Sequence, residues 1–212
     1  MQTDMTVGKP MKMLLNFTIP VFLGNVFQQL YSMADAVIVG KFVGTKGLAA
    51  VGATGTITFL IIGFLMGVTT GVTVLTSQKF GAGRMDEMRK TVGNAAILSA
   101  VIAVVMTAVS MLGMHRLLVF MHTPEDIFDG AYGYIMIICA GIFTQVLYNL
   151  VSSILRALGN SKTPLYFLIL AAGLNIVLDL VFIIFFHWGA PGAAWATVIS
   201  QGVSGVLCLI YM

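Results

Sequence analysis

The sequence predicts an all-α integral membrane protein, a bundle of six transmembrane helices, and three observations predict it. The first is composition: of 212 residues, 58% are hydrophobic and 9% are charged, with a mean hydropathy of +0.99, whereas a soluble domain carries about 25% charged residues. The second is where the charges stand, because they mark the ends of six long apolar windows. The third is the chemistry between the windows: GTKG, FGAGRMDE, HTPED, LGNSKTP and HWGAPG are short and rich in Gly, Pro, Asn or Asp, the residues of turns and caps.

Each window predicts one helix. Between Lys12 and Lys41 the only formal charge is Asp35, which predicts a first span over 13–38. Lys46 to Lys79 and Lys90 to His115 contain no charge, giving spans over 50–76 and 92–114. Asp129 to Arg156 is also uncharged and predicts a span over 131–154. Lys162 to His187 holds only Asp179, for a span over 164–186, and the uncharged remainder predicts the last span over 191–212. Every window is longer than the roughly 20 residues that cross a bilayer core. Pro164 and Pro191 fall where a first helical turn tolerates proline. No linker or low-complexity segment interrupts the chain, so residues 1–212 read as one six-helix membrane lobe with the lipid bilayer as its principal partner.

Basic residues orient this lobe. Lys9, Lys12, Lys79, Arg84, Arg89, Lys90, Arg156 and Lys162 fall on one side, and Lys41, Lys46 and Arg116 on the other. The excess points the first side, and with six spans both termini, to the cytoplasm; the expected location is the plasma membrane. Lys and Arg grouped in this way serve topology and headgroup contact, and no nucleic acid is an expected partner. Cys139 and Cys208 both lie in apolar runs, which gives a disulfide scaffold no support. The start, MQTDMTVGKPMKM, is polar and leads into an apolar run too long for a cleavable signal.

Of the eight acids, only Asp35 and Asp179 fall inside predicted spans; Asp4, Asp86, Glu87, Glu125, Asp126 and Asp129 map to water. A charged side chain within a span costs a few kcal/mol on insertion scales and usually marks an ion or proton path. For Asp35, near the outer end of its helix, the alternative is snorkelling to water. Around these acids stand polar residues at helical spacing: Asn25, Gln28, Ser32 and Asp35 on helix 1, Gln145 and Asn149 on helix 4, Asn175 and Asp179 on helix 5, Thr197 and Gln201 on helix 6. Such faces either line one interior chamber or hydrogen-bond between helices. Pro20 lies inside helix 1, where it removes a backbone hydrogen bond, and is a candidate hinge or a static bend. Gly63, Gly67 and Gly71 form a small-xxx-small series on helix 2, expected to bring another backbone close.

Helix 1 with its interior proline and late DAVIVG, the RALGNSKTP loop, NIVLD and GAAWATVISQ together resemble the N-terminal half of a multidrug and toxic compound extrusion (MATE) transporter, over essentially the whole chain. Members of that family have twelve helices in two parallel lobes and export cationic or amphipathic organic compounds in exchange for Na+ or H+. The resemblance implies a coupling-ion site at Asp35, Asn175, Asp179 and Thr197, a cavity reached by Asn149, and a role for Pro20 in bending helix 1. The chain stops after its sixth helix, within GVLCLIYM. We expect a truncated product rather than a natural half-transporter, with a C-terminal half or a second copy as the other lobe.

The function expected from these readings is that of a cation-coupled antiporter lobe working by alternating access on small organic cations. Asp35, Asn175, Asp179 and Thr197 are the ion-coupling set; Asn25, Gln28, Ser32, Gln145, Asn149 and Gln201 line the substrate cavity. The ion set is made of hard oxygens, which suit Na+ rather than zinc or copper, and a pair of neighbouring carboxylates serves H+ equally well. No cofactor is expected. An enzyme would need a set such as HExxH or GxSxG; neither is present, and His115, His122 and His187 map to outer helix ends. The alternatives are a polyisoprenoid-lipid flippase of the same superfamily, which would want a more basic cavity, and a membrane scaffold fragment that transports nothing. The six-span map predicts that single cysteines placed near Arg84 and Lys162, in a background lacking Cys139 and Cys208, react with impermeant thiol reagents only from the cytoplasmic side. A cysteine near Asp126 should react only from outside; labelling of the Arg84 and Asp126 positions from the same face would refute the map.

Overall fold

The computed structural model describes residues 10–212; Asp4 and Lys9 lie outside the described residues. Among the described residues five helices are long and apolar enough to cross a membrane, and a pair bent by 46° gives a sixth where it counts as one span. In chain order they are α1 (Pro10–Phe42), α2 (Thr45–Gly81), α3 (Met85–Phe120), the pair α4 (Glu125–Ala140) and α5 (Ile142–Ala157), α6 (Lys162–Leu180) and α7 (Gly189–Tyr211). The helices extend beyond the apolar windows read from the sequence, as α2 does by starting at Thr45 and ending at Gly81. Charge marks where hydrocarbon ends. Backbone hydrogen bonding continues past that point.

Burial separates a central helix from an edge helix. The most apolar stretch of α7 has 44% of its residues buried, against 6% for α1. The reason lies in side-chain size: Gly192, Ala193, Ala194, Ala196, Ser200, Ser204 and Gly205 let neighbours close on α7, as small residues do where lipid supplies no hydrophobic drive for association. Helices α4, α5 and α6 pack around α7, while α1 leans mainly on α6 and touches α2 and α7 lightly. The outward face of α1 carries Leu14, Phe22, Leu30, Met33 and Val37, all exposed.

Two spans depart from the regular helices expected of them. The window over 131–154 is broken at Gly141, where α4 and α5 meet at a 46° bend. Val198 of α7 presses on that point so closely that a Cβ on Gly141 would stand 2.2 Å from a Val198 methyl. The Gly141 carbonyl meanwhile accepts from the Thr144 hydroxyl at 2.7 Å and from the Thr144 amide at 3.0 Å, so local hydrogen bonds sustain the break. The window over 164–186 passes from α-helix into a π-helical turn at Val181–Phe185, closed by the Phe186 amide donating to the Val181 carbonyl at 3.1 Å. Pi turns of this kind are frequent at functional sites. It begins two residues after Asp179.

The glycine series of α2 behaves otherwise than the sequence suggested. Gly63, Gly67 and Gly71 are exposed, and a Cβ on any of them would meet nothing within 4 Å, so within this lobe they bring no backbone close. The inward face of α2 is instead Thr54, Ile57, Ile61, Leu65, Thr69, Val72 and Thr76, about half a turn round the helix. Ion pairs tie the helix ends: Lys46 to Asp126 at 3.5 Å joins the starts of α2 and α4, and at the opposite end Glu87 pairs with Lys79 and with Arg84 at 3.6 Å. The Gly141–Val198 contact predicts that Gly141→Ala lowers the stability of the purified protein by about 1–3 kcal/mol through overpacking. Val198→Ala added to it should restore part of the loss in a thermal unfolding assay; equal or additive losses would mean the bend does not depend on that contact.

Candidate functional site

Asp35 reaches the interior because α1 turns one face inward, the face that also carries Tyr31, Ile38 and Val39. Tyr31 precedes Asp35 by one helical turn, so the two share that face. Asp179 is fully buried on α6, and Asn175, one turn earlier, is fully buried too. The Asp35 and Asp179 carboxyls stand close enough across the α1–α6 contact to interact electrostatically. With its amide nitrogen turned toward Asp179, Asn175 donates to Asp179 Oδ2 at 3.1 Å, and its oxygen accepts from the Thr197 amide at 3.2 Å. This orientation is assigned from the hydrogen-bond network. The Tyr31 hydroxyl then donates to Thr197 Oγ1 at 3.1 Å. Asp35, Asn175, Asp179 and Thr197 are thus drawn together from α1, α6 and α7.

The cluster is electrostatically incomplete. Asp35 Oδ1 and Asp179 Oδ1 are buried without a hydrogen-bond partner among the described residues. An unsatisfied buried charge is costly, and two carboxylates in contact repel strongly in a low-dielectric interior. A cation or a proton placed between them offsets both costs. The available donors are carboxylate, amide and hydroxyl oxygens, the hard ligands that suit an alkali cation; among the described residues no group of three or more His, Cys, Asp and Glu gathers elsewhere.

Two tyrosines escaped the sequence reading. Tyr31 was legible through its spacing from Asp35. Tyr134 of α4, buried and close enough to interact electrostatically with both Asp35 and Asp179, was not, because α4 meets them only in the folded lobe.

The residues expected to line one chamber divide between several places. Asn25, Gln28 and Asn149 line a recess of about 70 Å³ together with Pro20, Tyr148 and Arg156; Asn149 Nδ2 also donates to the Gln145 carbonyl at 2.8 Å. Gln145 itself is half-buried and stands apart from that recess. Ser32 is exposed, with its hydroxyl donating to the Gln28 carbonyl at 3.1 Å. Gln201 is buried beside Tyr31 and Ser200 in a separate narrow crevice between α1, α6 and α7. Pro20 is buried at the recess wall, and α1 runs through it as one helix.

With this geometry in hand, comparison with known proteins is decisive at one level. The MatE family matches residues 20–181, well over half of the chain. The chain belongs to the MatE family. Among its relatives, the probable multidrug resistance protein YpnP of Bacillus subtilis (strain 168) is 33% identical over 209 residues, covering 99% of this chain and 47% of the relative. The FAD transporter of Shewanella oneidensis is 27% identical, over 94% of this chain and 46% of its own length. Among solved structures, a MOP superfamily transporter from Pyrococcus furiosus superposes with a TM-score of 0.91 at 29% identity, over 96% of this chain and 45% of the other. A MATE transporter solved in a bent and in a straight conformation gives 0.90 and 0.89. This chain spans about half the length of the curated relatives it matches, and MatE proteins are transporters rather than enzymes.

The Tyr31–Thr197 hydrogen bond predicts that Tyr31→Phe and Thr197→Val each lower thermal stability by about 1 kcal/mol. Because both remove the same bond, the double variant should lose little more than either single one. Fully additive losses would show that the two side chains act separately.

Proposed function

We propose that this MatE chain is one lobe of a cation-coupled antiporter that exports cationic or amphipathic organic compounds by alternating access. In this reading it acts in the plasma membrane with a second six-helix lobe and with both of its ends cytoplasmic. The observation that carries the proposal is the Asp35–Asp179 contact, with two buried carboxylate oxygens lacking partners among the described residues. Such a pair holds a site in which Na+ or H+ is favoured, and Asn175 and Thr197 add neutral oxygens beside it.

Coupling follows from how α1 is held. Asp35 belongs to the helix least buried in the lobe, and its link to α6 runs across the charge pair. When the pair is neutralised, repulsion between α1 and α6 falls and α1 seats against α6; when it is not, the repulsion opposes that seat. Pro20, lacking the backbone hydrogen bond to the preceding turn, lets the inner half of α1 follow a different path from the outer half. Because Pro20, Asn25 and Gln28 line the recess, a shift of α1 changes the walls seen by a bound compound. Ion binding and substrate release thereby draw on one two-state element.

Stability of the purified protein tests this. A ligand that binds only the folded state adds RT ln(1 + [L]/Kd), about 2.7 kcal/mol at a hundredfold excess. NaCl should raise the unfolding temperature relative to choline chloride at equal ionic strength, and Asp35→Asn or Asp179→Asn should each abolish most of the gain, the pair of substitutions together doing little more. A wild type indifferent to Na+ whose stability instead depends on pH, with that dependence lost in both variants, assigns the site to H+. Indifference to both ions refutes the coupling site.

A further inference from the structure

The charged group that the coupling site leaves unused is Arg156, and its surroundings are unlike those of the other basic residues. It is half-buried near the end of α5 and forms part of the recess wall with Asn25, Gln28, Asn149 and Pro20. Its Nε donates to the Ser152 carbonyl at 3.2 Å, which fixes the side chain against its own helix. Among the described residues no carboxylate lies within 4.0 Å of it. Held against the C-terminal turn of α5, whose carbonyls favour a cation, the half-buried guanidinium keeps donors that an anionic group entering the recess can meet. The recess also reaches Ser161, which is 6% exposed. The acids are remote: along α1, Asn25 stands ten residues from Asp35, about 15 Å of helix.

We infer that the recess at Arg156 binds an anionic group, a phosphate or carboxylate carried by an amphipathic guest. Arginine presents a planar fork that meets such a group through two parallel hydrogen bonds. The amides of Asn25, Gln28 and Asn149 can donate around it, and the volume of about 70 Å³ admits one small polar group rather than a whole molecule. The guest's apolar remainder then lies outside the recess, along the exposed apolar face of α1. The inference rests on the transport reading only in taking this recess as part of the substrate path, and it narrows the substrate class to zwitterions or amphipathic anions.

Equilibrium binding tests it apart from coupling. The protein is placed in phosphatidylcholine nanodiscs, and its unfolding temperature is followed against octyl phosphate or octyltrimethylammonium at equal ionic strength. Octyl phosphate should stabilise the wild type and octyltrimethylammonium should not. Arg156→Gln should weaken the phosphate affinity about tenfold or more, Arg156→Lys should fall between, and Lys162→Gln, at the neighbouring helix start, should change it little. A response to octyl phosphate that survives Arg156→Gln overturns the inference, as does a stronger response to the ammonium compound. Arg156-dependent stabilisation obtained only when phosphatidylglycerol replaces phosphatidylcholine, and never with octyl phosphate, makes the anionic group a lipid headgroup and overturns the narrowing of the substrate class. Loss of the Na+ and pH effects with the Arg156-dependent phosphate response intact would refute the coupling site alone.

Discussion

Two carboxyl groups in contact inside an apolar bundle are the constraint on which the rest of this lobe depends. Each ionised acid taken out of water costs several kcal/mol even after the protein relaxes, and contact between the two adds repulsion that a low dielectric does little to screen. Asp35 and Asp179 are placed so that no side chain of opposite charge pairs with either among the described residues. The neutral groups Asn175, Thr197 and Tyr31 are spent on one another and on a single carboxylate oxygen. The two free oxygens make the packing of α1 on α6 depend on what lies between them.

The dependence is transmitted because rigidity is unevenly distributed. The core is built round α7, whose small residues let α4, α5 and α6 approach until single atoms decide the fit, as at Gly141 against Val198 and at Gly205 against the Tyr148 backbone. Close-packed interiors of this kind resist continuous deformation. Thr197 belongs to that rigid helix, and Asp179 to α6, whose π turn packs on the first turn of α7 through Gly192 and Phe182. Asp35 alone sits on an edge helix. One acid is therefore held by the core and the other by a helix with few ties, which is the arrangement needed if neutralising the pair is to move something.

Charge is polarised along the lobe as well. The buried acidic oxygens lie toward the C-terminal ends of α1 and α6, whereas the recess that opens beside Pro20 has Arg156 and amides in its wall and no acid. The two poles share α1, which contributes Asp35 to one and Asn25 with Gln28 to the other. In the proposed reading, a compound held at the recess and an ion held at the acids would act on one helix from separate positions.

The class of the fold, the contrast between buried Asp35 and Asp179 and the exposed acids among the described residues, and the presence of Asn175 one turn before Asp179 were all legible in the sequence, because hydropathy, charge placement and helical spacing are local properties. So was the family resemblance, which the MatE match bears out. What local pattern could not decide was direction. Ser32 and Asp35 lie on one polar stripe in sequence, yet Asp35 turns inward and Ser32 stays exposed, since only the position of α6 says which edge of the stripe is buried. The glycines of α2 signal close approach but do not say to what, and in this lobe their face is open. The break at Gly141 depends on a valine some sixty positions away in α7, and Tyr134 meets the acids across a helix interface; neither relation exists before the chain packs. The sequence by itself determined which side chains are too costly to leave unsatisfied in a membrane. Only the tertiary structure decided which of them meet, because a helix repeats its pattern along one axis while burial is assigned by neighbours on another.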